Sequence, residues 1–218
     1  MMIKELEDRK KIEELEDMKI PRGHVILVGL GRLGIRTGIN LVQIHRGGPH
    51  KITAIDGQRI SEADVIFKML GGTTGMYKVD FFHELRGIKE VVPIKEDINH
   101  ENLHLINGDV VSIQIAGGHT VPITACIIKN AWALGASTIS TAGVFGIGNE
   151  KIEVMDISEA DNKNPVVNAL RKNGIRTNHK IISTGKFIRD DEPVTPYVLE
   201  EIAKITTGEI IKLLKDIK

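Results

Sequence analysis

The sequence predicts an α/β protein of three layers with a mostly parallel central sheet and a helical arm at its N-terminus. Three observations carry that expectation: short apolar runs alternating with helical patterns, a glycine-rich turn between the first such run and the helix after it, and an opening segment rich in Glu, Lys and Leu. Alternation of strand and helix points to a parallel sheet, because parallel neighbours need a long crossover between them. A chain of 218 residues that is 41% hydrophobic can bury one substantial core. We therefore expect an arm over residues 1–20 and a single domain over 21–218, with 175–218 as a lid or dimer extension.

In order, apolar residues Ile3, Leu6, Ile12, Leu15 and Met18 recur near helical spacing and predict a charged amphipathic helix over 2–19, ended by Pro21 and Gly23. The run His24-Val-Ile-Leu-Val28 reads as a buried parallel strand. Residues 33–46 read as a helix broken by Gly47-Gly48-Pro49, and Lys51-Ile-Thr-Ala-Ile55 as a second strand with Asp56 at its end. Gly71, Gly72 and Gly75 interrupt the helical pattern of 63–70, so a mobile crossover is expected there. Beyond it the pattern predicts helices over 76–86, 120–134, 161–174 and 198–217, and strands over 88–94, 109–115, 138–142, 151–157 and 180–183.

Composition excludes several classes of function. Lys plus Arg and Asp plus Glu each total 29, so there is no electrostatic footprint for nucleic acid. No apolar run approaches the roughly 18 residues that span a bilayer, and the charged N-terminus lacks the apolar core of a secretory signal, so a cytoplasmic protein is expected. A lone cysteine, Cys126, makes neither an internal disulfide nor a thiolate metal cage. Flanked by Ala125 and Ile127 in a helix, it reads as a buried, inert thiol.

The candidate site begins at Gly29-Leu-Gly-Arg-Leu-Gly34. In G-x-G-x-x-G the first glycine makes the tight turn, the second admits a phosphate to backbone N–H groups, and the third lets helix and strand pack closely. The motif is weak alone, but here it follows a strand, opens a helix, and is followed roughly 20 residues on by an acid at a strand end, Asp56, placed to accept ribose hydroxyls. The competing reading is a plain tight turn and a solvated Asp. The combined context favours a Rossmann-like nucleotide site.

These pieces, followed by Gly75-Met-Tyr-Lys78, resemble the ThiF/MoeB/E1-like adenylating superfamily, and the resemblance covers about residues 22–160. It implies a ThiF/E1-like fold that binds ATP with Mg²⁺ and transfers AMP to a carboxylate. By the same resemblance Gly29, Gly31 and Gly34 cradle the phosphates, Asp56 holds the ribose, and Lys78 is the catalytic cation on the phosphates. The competing reading of Lys78 is a solvated lysine on the first turn of an amphipathic helix.

The chain departs from the family pattern in several places. Gln58 stands where a second Asp is common, and Ser61-Glu-Ala-Asp64-Val-Ile-Phe67-Lys68 replaces Ser-Asn-Leu-x-Arg, so the phosphate-binding Arg is missing; Lys68, Arg59 and Arg32 are candidates to replace its charge. Where a magnesium-associated Asp is usual the chain reads Ala116-Gly-Gly-His-Thr120, which leaves the metal ligands unassigned. Ala116, Gly117, His119, Thr120 and Thr141 follow strand ends, the usual place for substrate contacts in an open α/β sheet. For Thr120 and His119 the competing reading is an ordinary N-cap and a loop residue.

Within the superfamily the short length, the missing zinc and catalytic cysteines and the Gly-Arg-Leu-Gly turn resemble the HcgE family of methanogens. That resemblance implies guanylylpyridinol, an intermediate of the iron-guanylylpyridinol (FeGP) cofactor of [Fe]-hydrogenase, as the small-molecule carboxylate, with delivery to a separate thioester-forming protein. It also implies a homodimer in which an N-terminal Arg reaches the partner's nucleotide; Arg9 is the candidate, and the competing, favoured reading of it is a solvated charge. Two rival readings are an NAD-dependent oxidoreductase, for which no acid-base pairing is evident, and a non-catalytic nucleotide-binding protein, favoured by the missing Asp and Arg.

Overall fold

The computed structural model describes residues 2–17 and 19–216. At its centre is β1 (His24–Val28), in which every second side chain faces the same layer. Val25 and Leu27 enter one core cluster with Leu33, Ile35 and Leu41 of α2 (Arg32–Val42), Phe81 and Phe82 of α4 (Lys78–Glu84), and Ile202 and Ile210 of α7 (Pro196–Lys215). Ile26 and Val28 enter the other, with Ile127 and Ile128 of α5 (Val121–Ala133) and Val167 and Leu170 of α6 (Pro165–Lys172). Burying each of these large side chains contributes about 1.5–3 kcal/mol, so both layers are anchored on one strand.

Seven strands form one sheet in the order β3-β2-β1-β4-β5-β7-β6. β2 (Lys51–Ile55) and β4 (Val110–Ile113) flank β1 in parallel, β3 (Glu90–Ile94) lies beyond β2, and β5 (Ser137–Thr141) and β7 (Lys180–Ser183) continue the parallel run. Only β6 (Glu153–Asp156) is antiparallel, on the edge beside β7. The strand order reverses between β1 and β4, and a crevice at such a switch point is where open α/β sheets bind ligands.

The expected strands and helices are present, mostly with shorter ends. Strand 109–115 contracts to β4 and helix 76–86 to α4, while helix 120–134 opens as a 3₁₀ turn over Gly118–Thr120. The crossover expected to be mobile is closed: Phe67 of α3 (Val65–Met69) is fully buried, and the amides of Ile60 and Gly75 donate to the carbonyls of Met76 and Ile60.

Residues 175–218, expected as a lid or dimer extension, supply β7, an interior strand, and α7, which buries Val198, Leu199, Ile202 and Ala203 against the α2 layer. The last residues of the helix expected over 198–217 end with residue 217 outside the described set. Cys126 is half-buried on α5 rather than buried. Helix α1 (Met2–Asp17) forms the arm, with Arg9 exposed and Ile12 and Leu15 exposing half or more of their surface. The other expected stripe residues, Ile3, Leu6 and Met18, lie outside the described side chains.

Candidate active site

Three glycines of the turn play three physical parts. Gly29 has φ +91°, and a Cβ there would lie 3.0 Å from the backbone carbon and oxygen of Gln114. Gly34 packs so closely that a Cβ would strike the Gly29 carbonyl. At Gly31 an added Cβ would meet nothing within 4 Å, so this is the open side, at the N-cap of α2, where no side chain caps the helix. Unpartnered amides and the helix dipole at such an end form an anion site.

Asp56 closes the turn from β2. Its Oδ2 accepts the Leu30 amide at 2.6 Å and its Oδ1 accepts the Gln58 amide at 2.8 Å. Burial pushes this carboxyl above the usual aspartate range, against the pull of those amides and of the Lys78 ammonium. Each carboxylate oxygen has a second lone pair, so the residue can position the turn and still accept a hydroxyl.

Lys78 is 5% exposed, which rules out a solvated helix lysine. Its Nζ donates to Gln58 Oε1 at 2.8 Å and lies 3.3 Å from Asp64 Oδ1, over the Phe67 ring. Asp64 is held in turn by the Ser61 amide and hydroxyl. Gln58, which departs from the family pattern, thus joins Asp56 to Lys78, and its carbonyl also accepts the Lys78 amide at 3.1 Å.

The three candidates for the missing Arg separate. Lys68 pairs with Glu62 at 2.7 Å, and Arg59 stacks on Tyr77 and donates to the Gly75 carbonyl. Arg32 is exposed on the first turn of α2, and among the described residues its side chain has no hydrogen-bond or ion-pair partner. One turn further along, Arg36 is 9% exposed, with Nε 2.6 Å from Glu200 Oε1 of α7 and a terminal nitrogen donating to the Arg32 carbonyl.

Sequence reasoning missed Arg36 and Gln114. Gln114 continues β4, and its side-chain nitrogen lies 3.0 Å from the Thr37 hydroxyl and 3.1 Å from that of Ser112, which braces the turn from behind. A polar residue ending an apolar strand beside a glycine turn was the available signal.

Ala116, Gly117 and His119 are exposed in the loop after β4, the parallel neighbour of β1. Thr120 stands at the N-cap position of α5, though its hydroxyl donates to the Gly117 carbonyl at 2.7 Å and makes no cap bond. Thr141 is half-buried at the end of β5. All five lie at the carboxyl ends of strands on the β4 side of the switch point. Among the described residues no group of three or more His, Cys, Asp or Glu forms a metal cage.

No family model matches the chain. It is 44% identical over 203 residues to an uncharacterised protein of Methanocaldococcus jannaschii, covering 93% of this chain and 81% of that one. It is 52% identical to HcgE of Methanothermobacter marburgensis, solved with guanylylpyridinol and ATP bound, with TM-score 0.89 over 92% of this chain and 98% of that one. The Escherichia coli tRNA N6-threonylcarbamoyladenosine dehydratase TcdA, solved with AMP, shares the fold at 16% identity, TM-score 0.73, over 88% and 86% of the two chains. Sequence likeness at this level across nearly the full length of both chains places the protein in the HcgE family.

Proposed function

We propose that the protein is an ATP-dependent adenylyltransferase that transfers AMP to the carboxylate of guanylylpyridinol in FeGP cofactor biosynthesis. One observation carries the reading: an unobstructed phosphate approach at Gly31, linked through Asp56 and Gln58 to a buried lysine, in a chain 52% identical to a protein solved with both ATP and guanylylpyridinol.

The substrate carboxylate attacks the α-phosphate in line. A new O–P bond forms as the bond to the bridging oxygen breaks, leaving an acyl adenylate and pyrophosphate. A carboxylate is already ionised at neutral pH, so no general base is needed. The barrier is the meeting of two anions, and the amides of the glycine turn, Lys78 and Arg32 supply the opposing potential. Asp56 takes the ribose hydroxyls, and the loop from Ala116 to Thr120, with Thr141, borders the acceptor. Mg²⁺ would enter with the nucleotide and would supply positive charge against the phosphates beside Lys78.

A homodimer fits the exposed apolar residues of α1, with Arg9 reaching across to the partner's nucleotide. The reaction belongs in the cytoplasm, where the product passes to a separate thioester-forming protein.

ATP–pyrophosphate exchange tests the proposal. Exchange that requires guanylylpyridinol and Mg²⁺ is expected. MgATP binding with no exchange on guanylylpyridinol or any other small carboxylic acid would leave a nucleotide-binding protein without this chemistry.

A further inference from the structure

Cations gather on one face of the molecule away from the glycine turn. Residues 162–180 carry Lys163, Arg171, Lys172, Arg176 and Lys180 and no Asp or Glu, in a chain whose charges otherwise balance. Among the described residues only Lys180 of these has an ion-pair partner, Glu209 of α7. Arg171, Lys172 and Arg176 line a cavity of about 510 Å³ between α6 and the loop after β6. Beside it Lys129 of α5, exposed and also without an ion-pair partner, brings its ammonium close to Gly174.

We infer that this face docks an acidic surface of a partner protein, with Lys172, Arg176 and Lys129 meeting its carboxylates in charge-assisted pairs. The floor of the cavity is built in advance. The Arg171 guanidinium donates to the carbonyls of Ile157 and Ala160 and to the Asn162 side chain, and the Asn168 side chain donates to the Asn162 carbonyl. Those bonds spend Arg171 on the loop and leave Lys172 and Arg176 exposed, so little chain has to be ordered on docking. The C-terminal dipole of α6 accounts for Arg171 and Lys172. It does not account for Arg176, beyond the end of that helix, or for Lys129 on α5.

Other macromolecules fit this face less well. The cavity is lined without an aromatic ring on which a base could stack, so nucleic acid lacks its usual platform. None of the large exposed apolar side chains falls between residues 148 and 187, so nothing here inserts into a lipid surface. Helix α6 packs in the core layer opposite α2, and β7 and β6 lie beyond β4 and β5 from β1. A protein held here leaves the nucleotide turn uncovered.

Fluorescence anisotropy with fluorescein-labelled decaglutamate tests this. The unmodified protein should bind the peptide in about 0.05 M NaCl and release it in about 0.5 M, since salt screens exposed charge pairs. Lys172→Glu combined with Arg176→Glu should weaken binding at least about tenfold. Lys10→Glu combined with Lys11→Glu, which changes net charge equally at exposed positions of α1, should stay within about twofold of the unmodified protein. Lys129→Glu, on a different helix, should also weaken binding, and it reports even if the first double variant misfolds. No binding of decaglutamate, equal weakening in the α1 variant, or tighter binding of an oligothymidylate of the same length would overturn the inference. So would sedimentation in which the unmodified protein is a dimer and Lys172→Glu with Arg176→Glu makes it a monomer, because the face would then join two copies of the chain.

Discussion

The amide of Leu30 donates to Oδ2 of Asp56 at 2.6 Å, which ties the tip of the glycine turn to the end of the neighbouring strand. One carboxylate therefore shapes the glycine turn while standing where the proposed ribose contact needs an acceptor. Asp56→Asn turns one acceptor into a donor that must oppose the Leu30 or the Gln58 amide. It should cost about 1–3 kcal/mol of stability and also weaken ATP. Urea unfolding and ATP titration measure the two effects; unchanged stability would show that the turn does not depend on this bond.

Gly31 and Gly34 should respond oppositely to one methyl group. Gly31 has open space and an ordinary φ of −69°, so Gly31→Ala should fold with an unchanged melting temperature and lose ATP affinity. Gly34→Ala drives its Cβ into the Gly29 carbonyl and should destabilise the fold by about 1–3 kcal/mol or more. Differential scanning calorimetry beside ATP titration separates them. Normal ATP affinity in Gly31→Ala would move the phosphates elsewhere.

Lys78→Ala should lower the pyrophosphate exchange rate about 10²-fold or more, the usual cost of removing one fixed transition-state donor. Lys78→Arg should not restore it, because the slot between Gln58, Asp64 and the Phe67 ring suits a compact ammonium rather than a planar fork. Initial-rate exchange at saturating substrates provides the readout. Near-normal exchange in Lys78→Ala would remove the residue from the mechanism.

His179 is fully buried between β5 and β7, with Nε2 2.8 Å from the Ser140 hydroxyl and Nδ1 2.8 Å from that of Thr138. Burial lowers its pKa to about 3, so the folded protein holds it neutral while the unfolded chain protonates it near 6.5. Stability is then complete above about 6.5 and lost as pH falls toward 3, by about 2 kcal/mol at pH 5. Chemical denaturation at pH 7 and pH 5 should show this slope, and His179→Gln should flatten it. An equal slope in the variant would assign the acid sensitivity to other groups.

The parts of the site read from the sequence are those made by neighbours along the chain. The glycine spacing, the strand before it and Asp56 after β2 depend on backbone freedom, period-2 burial and a single crossover. Lys78 was legible as a residue, yet its burial was not, because Asp64, Phe67 and Gln58 surround it only once the crossover folds over it. Nothing in the local pattern marked Lys68 as Glu62's partner or Arg36 as that of Glu200.

By itself, then, the sequence determined the layer order, the nucleotide turn and its family, since these follow from preferences expressed within a few residues. Tertiary structure decided which charges face the site. It set β7 of the 175–218 segment inside the sheet and α7 on the α2 layer, and set Glu200 against Arg36 across 164 positions of chain. Such pairings arise because hydrophobic burial fixes where elements lie, and polar side chains then take whatever partners that packing brings within reach.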